Sequence, residues 1–186
     1  MTTEAKAVPA APIATTPTGE QFVYTIYIRT TPEKLFEALT QPEFTAAYWG
    51  GITHDTTWQP GSPWSLKLPD GRIADSGEIV EYDPPRRLVL AWRHQLSPDL
   101  NAEGVSRCAI DLEPFGDSVK LTVVHSIDKR ESKFLQAVST GWPAILSGLK
   151  SLLETGKPLV TGNEGPPPEF IAAVKQAVAD KPWLKR

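Results

Sequence analysis

One stretch constrains the rest of this chain more than any other: Glu131 to Gly156, ESKFLQAVSTGWPAILSGLKSLLETG. Phe134, Leu135, Val138, Trp142, Ile145, Leu146, Leu149, Leu152 and Leu153 recur at steps of three and four, the period of one helix face. Lys133, Gln136, Ser147, Lys150, Ser151 and Glu154 fall on the opposite face, and Gly156 stands where a helix ends in a residue of positive φ. An apolar stripe this wide must be covered. Pro143 has no N–H and crowds the carbonyl of Ser139, which predicts a kink or restart near Thr140 to Pro143.

The cover comes from upstream. In QFVYTIYIR, from Gln21 to Arg29, Phe22, Tyr24, Ile26 and Ile28 share one face of a strand. Thr30-Thr31-Pro32-Glu33 then starts a short helix carrying Leu35, Phe36 and Leu39, and Pro42 starts a second that ends at Gly50-Gly51. Beyond that pair the pattern turns to period two. Strands are expected at Ile52–Trp58, Trp64–Leu68, Ala74–Tyr82, Leu88–His94, Val105–Pro114 and Ser118–Ile127, divided by Pro60-Gly61, Pro69-Asp70-Gly71, Asp83-Pro84-Pro85 and Phe115-Gly116-Asp117. Short turns between alternating strands imply antiparallel neighbours. Leu88, Leu90, Trp92 and His94 share a face, as do Cys108, Ile110 and Leu112, and Val119, Leu121, Val123 and His125. The other faces carry Arg93, Arg107, Asp111, Glu113, Lys120 and Thr122, and so are expected to meet solvent. The expected class is α+β: a curved antiparallel sheet of about seven strands around one long C-terminal helix, with two short helices after the first strand. Between sheet and helix lies a tapering space, the expected site.

Residues 1–19, rich in Ala, Thr and Pro, are read as a disordered leader, and residues 20–158 as the folded domain. Residues 159–186 are read as a proline-stiffened linker and a short helix, with Phe170, Ile171, Val174 and Val178 at helical spacing. That helix is expected to dock on the body or on a second subunit, and a homodimer is compatible with the free edges of the sheet. A net charge of −3 gives no basic stripe to replace counterions on phosphate, which argues against nucleic acid. The single cysteine, Cys108, excludes an internal disulfide and fits a reducing compartment, so the cytoplasm is expected. Neither an export signal nor a run of the ~20 apolar residues that span a bilayer is present, so no membrane role is expected.

Several phrases, taken in order, resemble one superfamily. TPEKLFEALTQPEFTAAYW at the short helices, GEIVEYDPPRRLVLAW leading into the fifth strand, VKLTVVHSI before the last helix and GWPAILSGLKSLLETG within it are similar to the SRPBCC proteins. These are the START and birch-pollen-allergen-like helix-grip proteins, and the branch resembled is that of the activator of heat-shock protein 90 ATPase. The likeness covers roughly residues 21 to 158. It implies the helix-grip fold and, for many relatives, a hydrophobic cavity for a small ligand. It does not imply one activity, since such folds serve carriers, lipid binders, cyclases, hydroxylase domains and co-chaperone modules.

Six tryptophans are many for 186 residues, and Trp49, Trp64, Trp92 and Trp142 fall where cavity walls are expected. Wide, rigid rings with one N–H suit an apolar ligand carrying a polar group or two, and equally suit ordinary core packing. His94 and His125 share the inward face and are read as polar contacts to a ligand or as satisfied polar groups in the wall. His54 stands beside Asp55 without a visible partner. No metal is expected, because no third ligand follows at a useful spacing. Asp99-Leu-Asn-Ala-Glu-Gly104 opens like a calcium loop, but its twelfth position is Ile110, and calcium is discarded. Asp75, Glu78 and Glu81 lie on one strand as sheet charge, with Glu78 or Glu81 the ones that would project inward. No catalytic residue and no cofactor is assigned. The expected function is binding of a small, mainly apolar ligand. A co-chaperone-like module engaging a chaperone or another protein is the alternative, and an enzyme acting on an apolar substrate is the third reading.

Overall fold

Alternation is realised most fully in the strand Ser118–Ile127, where Val119, Leu121, Val123, His125 and Ile127 are buried and every residue between them is not. The computed structural model describes residues 19–159. The expected leader, and the linker and helix of the tail, therefore lie outside the described residues but for Gly19 and Leu159. In chain order the elements are β1 (Glu20–Ile28), α1 (Pro32–Thr40), α2 (Pro42–Tyr48), β2 (Thr53–Asp55), β3 (Pro63–Lys67), β4 (Ile73–Asp83) and β5 (Arg87–His94). They continue with α3 (Pro98–Asn101), β6 (Ser106–Phe115), β7 (Ser118–Ile127) and α4 (Lys133–Thr155). All seven strands form one antiparallel sheet in the order β1-β7-β6-β5-β4-β3-β2. The first strand thus pairs with the last, and α1 and α2 carry the chain from one edge to the other.

The sheet bends where its sequence permits it. A register shift in β4 between Ile79 and Glu81 places an extra residue opposite β5. At Gly77 a Cβ would lie 1.8 Å from the Ala91 carbonyl oxygen, so the close approach of β5 there requires glycine. β2 is shorter than the expected strand: the chain leaves the sheet at Asp55, and Trp58 adopts φ 56°. The outer face is not uniformly wet either, since Val89 and Ala109, paired across β5 and β6, are both buried.

On the concave side α4 lays down its stripe, with Phe134, Leu135, Trp142, Leu146, Leu149 and Leu152 buried. Thr31 Oγ1 caps α1 by accepting from the Lys34 amide, and Ser132 Oγ caps α4 by accepting from the Leu135 amide. Gly156 closes α4 at φ 74°, its N–H donating to the Leu152 carbonyl. The expected restart at Pro143 does not occur: α4 runs unbroken from Lys133 to Thr155. One missing hydrogen bond is outweighed by burial on both sides of it, at Leu135 and Trp142 before and Leu146 and Leu149 after. Gly148 lets α4 approach α2, since a Cβ there would sit 3.1 Å from the Tyr48 carbonyl oxygen. Among the described residues no helix is long and apolar enough to cross a membrane.

Candidate functional site

Three elements bring tryptophans to one place. Trp49 caps the end of α2, Trp92 lies near the end of β5 on the concave face, and Trp142 projects from the middle of α4. Their ring centroids stand 5.7 Å apart for Trp49 and Trp142, 6.0 Å for Trp92 and Trp142, and 6.4 Å for Trp49 and Trp92. They wall a cleft of about 200 Å³ between sheet and helix, which Phe134, Val138 and Ile145 complete. Trp92 and Trp142 are buried and Trp49 only partly so. At Gly141, also in the cleft wall, an added Cβ would touch nothing nearer than Ile145 Cδ1 at 3.9 Å. The helix therefore leaves this space open by using a residue that weakens it.

The polar corner of the cleft is a pair of side chains. Asp75 of β4 and His94 of β5 are register partners, and His94 Nδ1 stands 2.9 Å from Asp75 Oδ1. Both line the cleft with only 13% and 18% of their side chains exposed. Asn101 of α3 fixes this end of β5, its Nδ2 donating to the His94 carbonyl at 2.6 Å. Leu100 of the same short helix reaches the cleft. Between the expected fifth and sixth strands, where the sequence shows only a discarded calcium-like opening, Ser97-Pro98-Asp99 starts a helical turn.

His125 sits behind the wall rather than in it. It is completely buried, and the cleft is not lined by it. Trp142 Nε1 donates to His125 Nδ1 at 3.3 Å, and His125 Nε2 stands 2.8 Å from Ser106 Oγ. An indole N–H only donates, so Nδ1 accepts, Nε2 carries the proton, and Ser106 passes its own to the Trp92 carbonyl at 2.9 Å. Burial lowers the His125 pKa to about 4, so the ring is neutral near pH 7. The network joins β5, β6, β7 and α4 and holds Trp142 in place. Trp64 likewise supports the wall from behind: it is buried, packs on Trp92 at 4.6 Å, and donates from Nε1 to His54 Nδ1 at 2.9 Å. The partner invisible in the sequence for His54 is thus Trp64, and Trp49 and Trp58 flank the same ring. Burial lowers the His54 pKa to about 4 as well.

Of the six residues singled out in the sequence, Trp49, Trp92, Trp142 and His94 line one cleft, while Trp64 and His125 buttress it. Asp75, sheet charge by its sequence pattern alone, is the partner of His94, which only the cross-strand register reveals. One buried side-chain donor, Trp92 Nε1, has no hydrogen-bond partner among the described residues. Among the described residues no group of three or more His, Cys, Asp or Glu is placed to hold a metal ion.

Residues 29–154 match the model of the family described as activator of Hsp90 ATPase homolog 1-like protein. No curated protein resembles the sequence closely enough to count as a match. Among solved structures the fold is similar to MLL2253 from Mesorhizobium loti, with TM-score 0.63 and 22% identity over 73% of this chain and 97% of that one. It is also similar to DynU16, from the dynemicin biosynthetic locus, with TM-score 0.61 and 20% identity over 74% of this chain and 48% of that one. A third similar structure is PFC0360w, an Hsp90 activator from Plasmodium falciparum, with TM-score 0.58 and 23% identity over 72% of this chain and 95% of that one. At such identities the likeness is one of fold.

Proposed function

This chain belongs to the activator of Hsp90 ATPase homolog 1-like family, and on that premise we propose that it binds a small, mainly apolar molecule between its sheet and α4. The observation that carries this reading is the cleft itself: aromatic on three sides, about 200 Å³, and polar at one corner only. A dry apolar cavity of about 150 Å³ accepts benzene, so the space suits a molecule of one or two rings. Gly141 supports the same reading, because it keeps open a volume that almost any other residue would fill. The proposed compartment is the cytoplasm.

The test is native mass spectrometry of the protein purified from its host, with release and identification of any bound compound. Gly141→Leu is the matched control. It should abolish retention of the compound while raising helix stability by up to about 1 kcal/mol, since glycine inside a helix is unfavourable. Retention unchanged in this variant would place the compound elsewhere.

A second reading is an interaction module that stimulates a chaperone ATPase. The family's description and the Plasmodium structure support it. So does an exposed aromatic pair beside the β1 edge, Tyr27 and Phe115, with ring centroids 4.9 Å apart. It predicts that the protein raises the turnover of Hsp90 in a coupled ATPase assay, with the effect lost in Phe115→Ser. A flat rate would remove it.

A further inference from the structure

We infer that the Asp75–His94 pair selects, within that cleft, for flat aromatic molecules that carry a hydroxyl or N–H donor, as a phenol does. The inference rests on the cleft-binding reading and specifies its ligand. Asp75 Oδ1 lies 2.9 Å from His94 Nδ1, and a carboxylate can only accept there, so Nδ1 carries the proton. In the neutral ring Nε2 is then a lone-pair acceptor. Among the described residues no hydrogen bond reaches Nε2, although the His94 side chain is 82% withdrawn from solvent at the edge of an apolar space. In aqueous solution an acceptor in that position takes its hydrogen bond from water. A ligand that displaces the water without replacing its hydrogen bond leaves Nε2 unpaired, and that costs affinity.

The ring is held ready for this. Asn101 Nδ2 grips the His94 carbonyl at 2.6 Å, and Arg93 in turn donates to Asn101 Oδ1 at 3.0 Å. Phe134 packs at 6.2 Å between ring centroids. A carboxylate behind an imidazole sets its orientation and makes its free nitrogen a better acceptor, so Asp75 is a positioning residue and His94 the one that touches the ligand. The walls of Trp49, Trp92 and Trp142 accept flat rings without choosing among them. Choice falls to the polar corner.

Two probes of matched size separate the possibilities: 2-naphthol, which carries the donor, and 2-methylnaphthalene, which does not. Binding is followed by quenching of tryptophan fluorescence and by calorimetry on the full chain, with circular dichroism confirming that each variant is folded. His94→Phe should weaken 2-naphthol roughly tenfold and leave 2-methylnaphthalene within about twofold, because only one probe loses a hydrogen bond. Asp75→Asn should move the ratio of the two affinities in the same direction, a readout that a merely structural role would not alter. Equal weakening of both probes by His94→Phe, or no change in either, overturns the selection by His94. If wild-type protein binds neither probe, the cleft-binding reading itself fails, and the selection falls with it.

Discussion

Trp142→Ala should lower the unfolding free energy by about 3–5 kcal/mol, the cost of removing a large buried aromatic side chain. Trp142 is 3% exposed, packs against Trp49 and Trp92, and lends its N–H to a histidine sealed from solvent. The alanine variant also opens the cleft, so affinity for an apolar ligand should fall along with stability. Trp142→Phe separates the two roles. It keeps most of the ring and removes the N–H, leaving His125 Nδ1 without its donor in a fully buried site, for about 1–3 kcal/mol. Urea denaturation of both variants, paired with binding curves, checks the assignment. Stability loss with affinity intact would make Trp142 a packing residue alone.

Glu103→Gln should destabilise the protein by about 2–4 kcal/mol at neutral pH, since one buried carboxylate serves four donors. Its Oε2 accepts from Ser132 Oγ at 2.6 Å and the Phe134 amide at 3.1 Å; its Oε1 accepts from the Lys133 amide at 3.1 Å and Lys129 Nζ at 3.2 Å. The side chain is 3% exposed, and it ties the loop after α3 to the positive end of α4. Burial alone would raise the pKa of Glu103, but the hydrogen bonds from Ser132, Phe134, Lys129 and Lys133 overcome this and lower it from 4.5 to about 2. A folded-state pKa below the unfolded one means that ionised Glu103 favours the folded state. This contribution is fully present above pH 4.5 and fades as the pH falls toward 2. The stability gap between wild type and Glu103→Gln should therefore be widest near neutrality and narrow between those limits. Denaturant melts at pH 7, 4 and 3 measure it, and a gap that does not change with pH would mean that shape, not charge, is what the glutamine spoils.

Glu103 also shows where reading residues in order stops. In the sequence it belongs to a loop with a false calcium pattern; in the structure it caps a helix that begins thirty residues later. Nothing in the local composition of either segment announces the pairing. His94 is a milder case. The alternation Leu88, Leu90, Trp92, His94 assigned it to the concave face, and the structure places it in the cleft wall. Asp75, nineteen residues earlier, becomes its partner only because β4 and β5 pair in one particular register. His125 was assigned to the same face by the same alternation, yet it lies behind Trp142, because a face is shared by cleft and core and period two does not divide them.

The sequence by itself determined the antiparallel sheet, the two short helices after its first strand, the long covering helix and the face of β5 that carries Trp92 and His94. Those properties follow from the periods of strand and helix and from the chemistry of turns, both of which act over a few residues. Tertiary structure alone decided that Pro143 would leave α4 unbroken, that Trp64 and His125 would brace the cleft from behind, and that Asp75 would meet His94. Each of these depends on register, burial or hydrogen bonds between segments far apart in the chain, where small differences in packing free energy outweigh local preference.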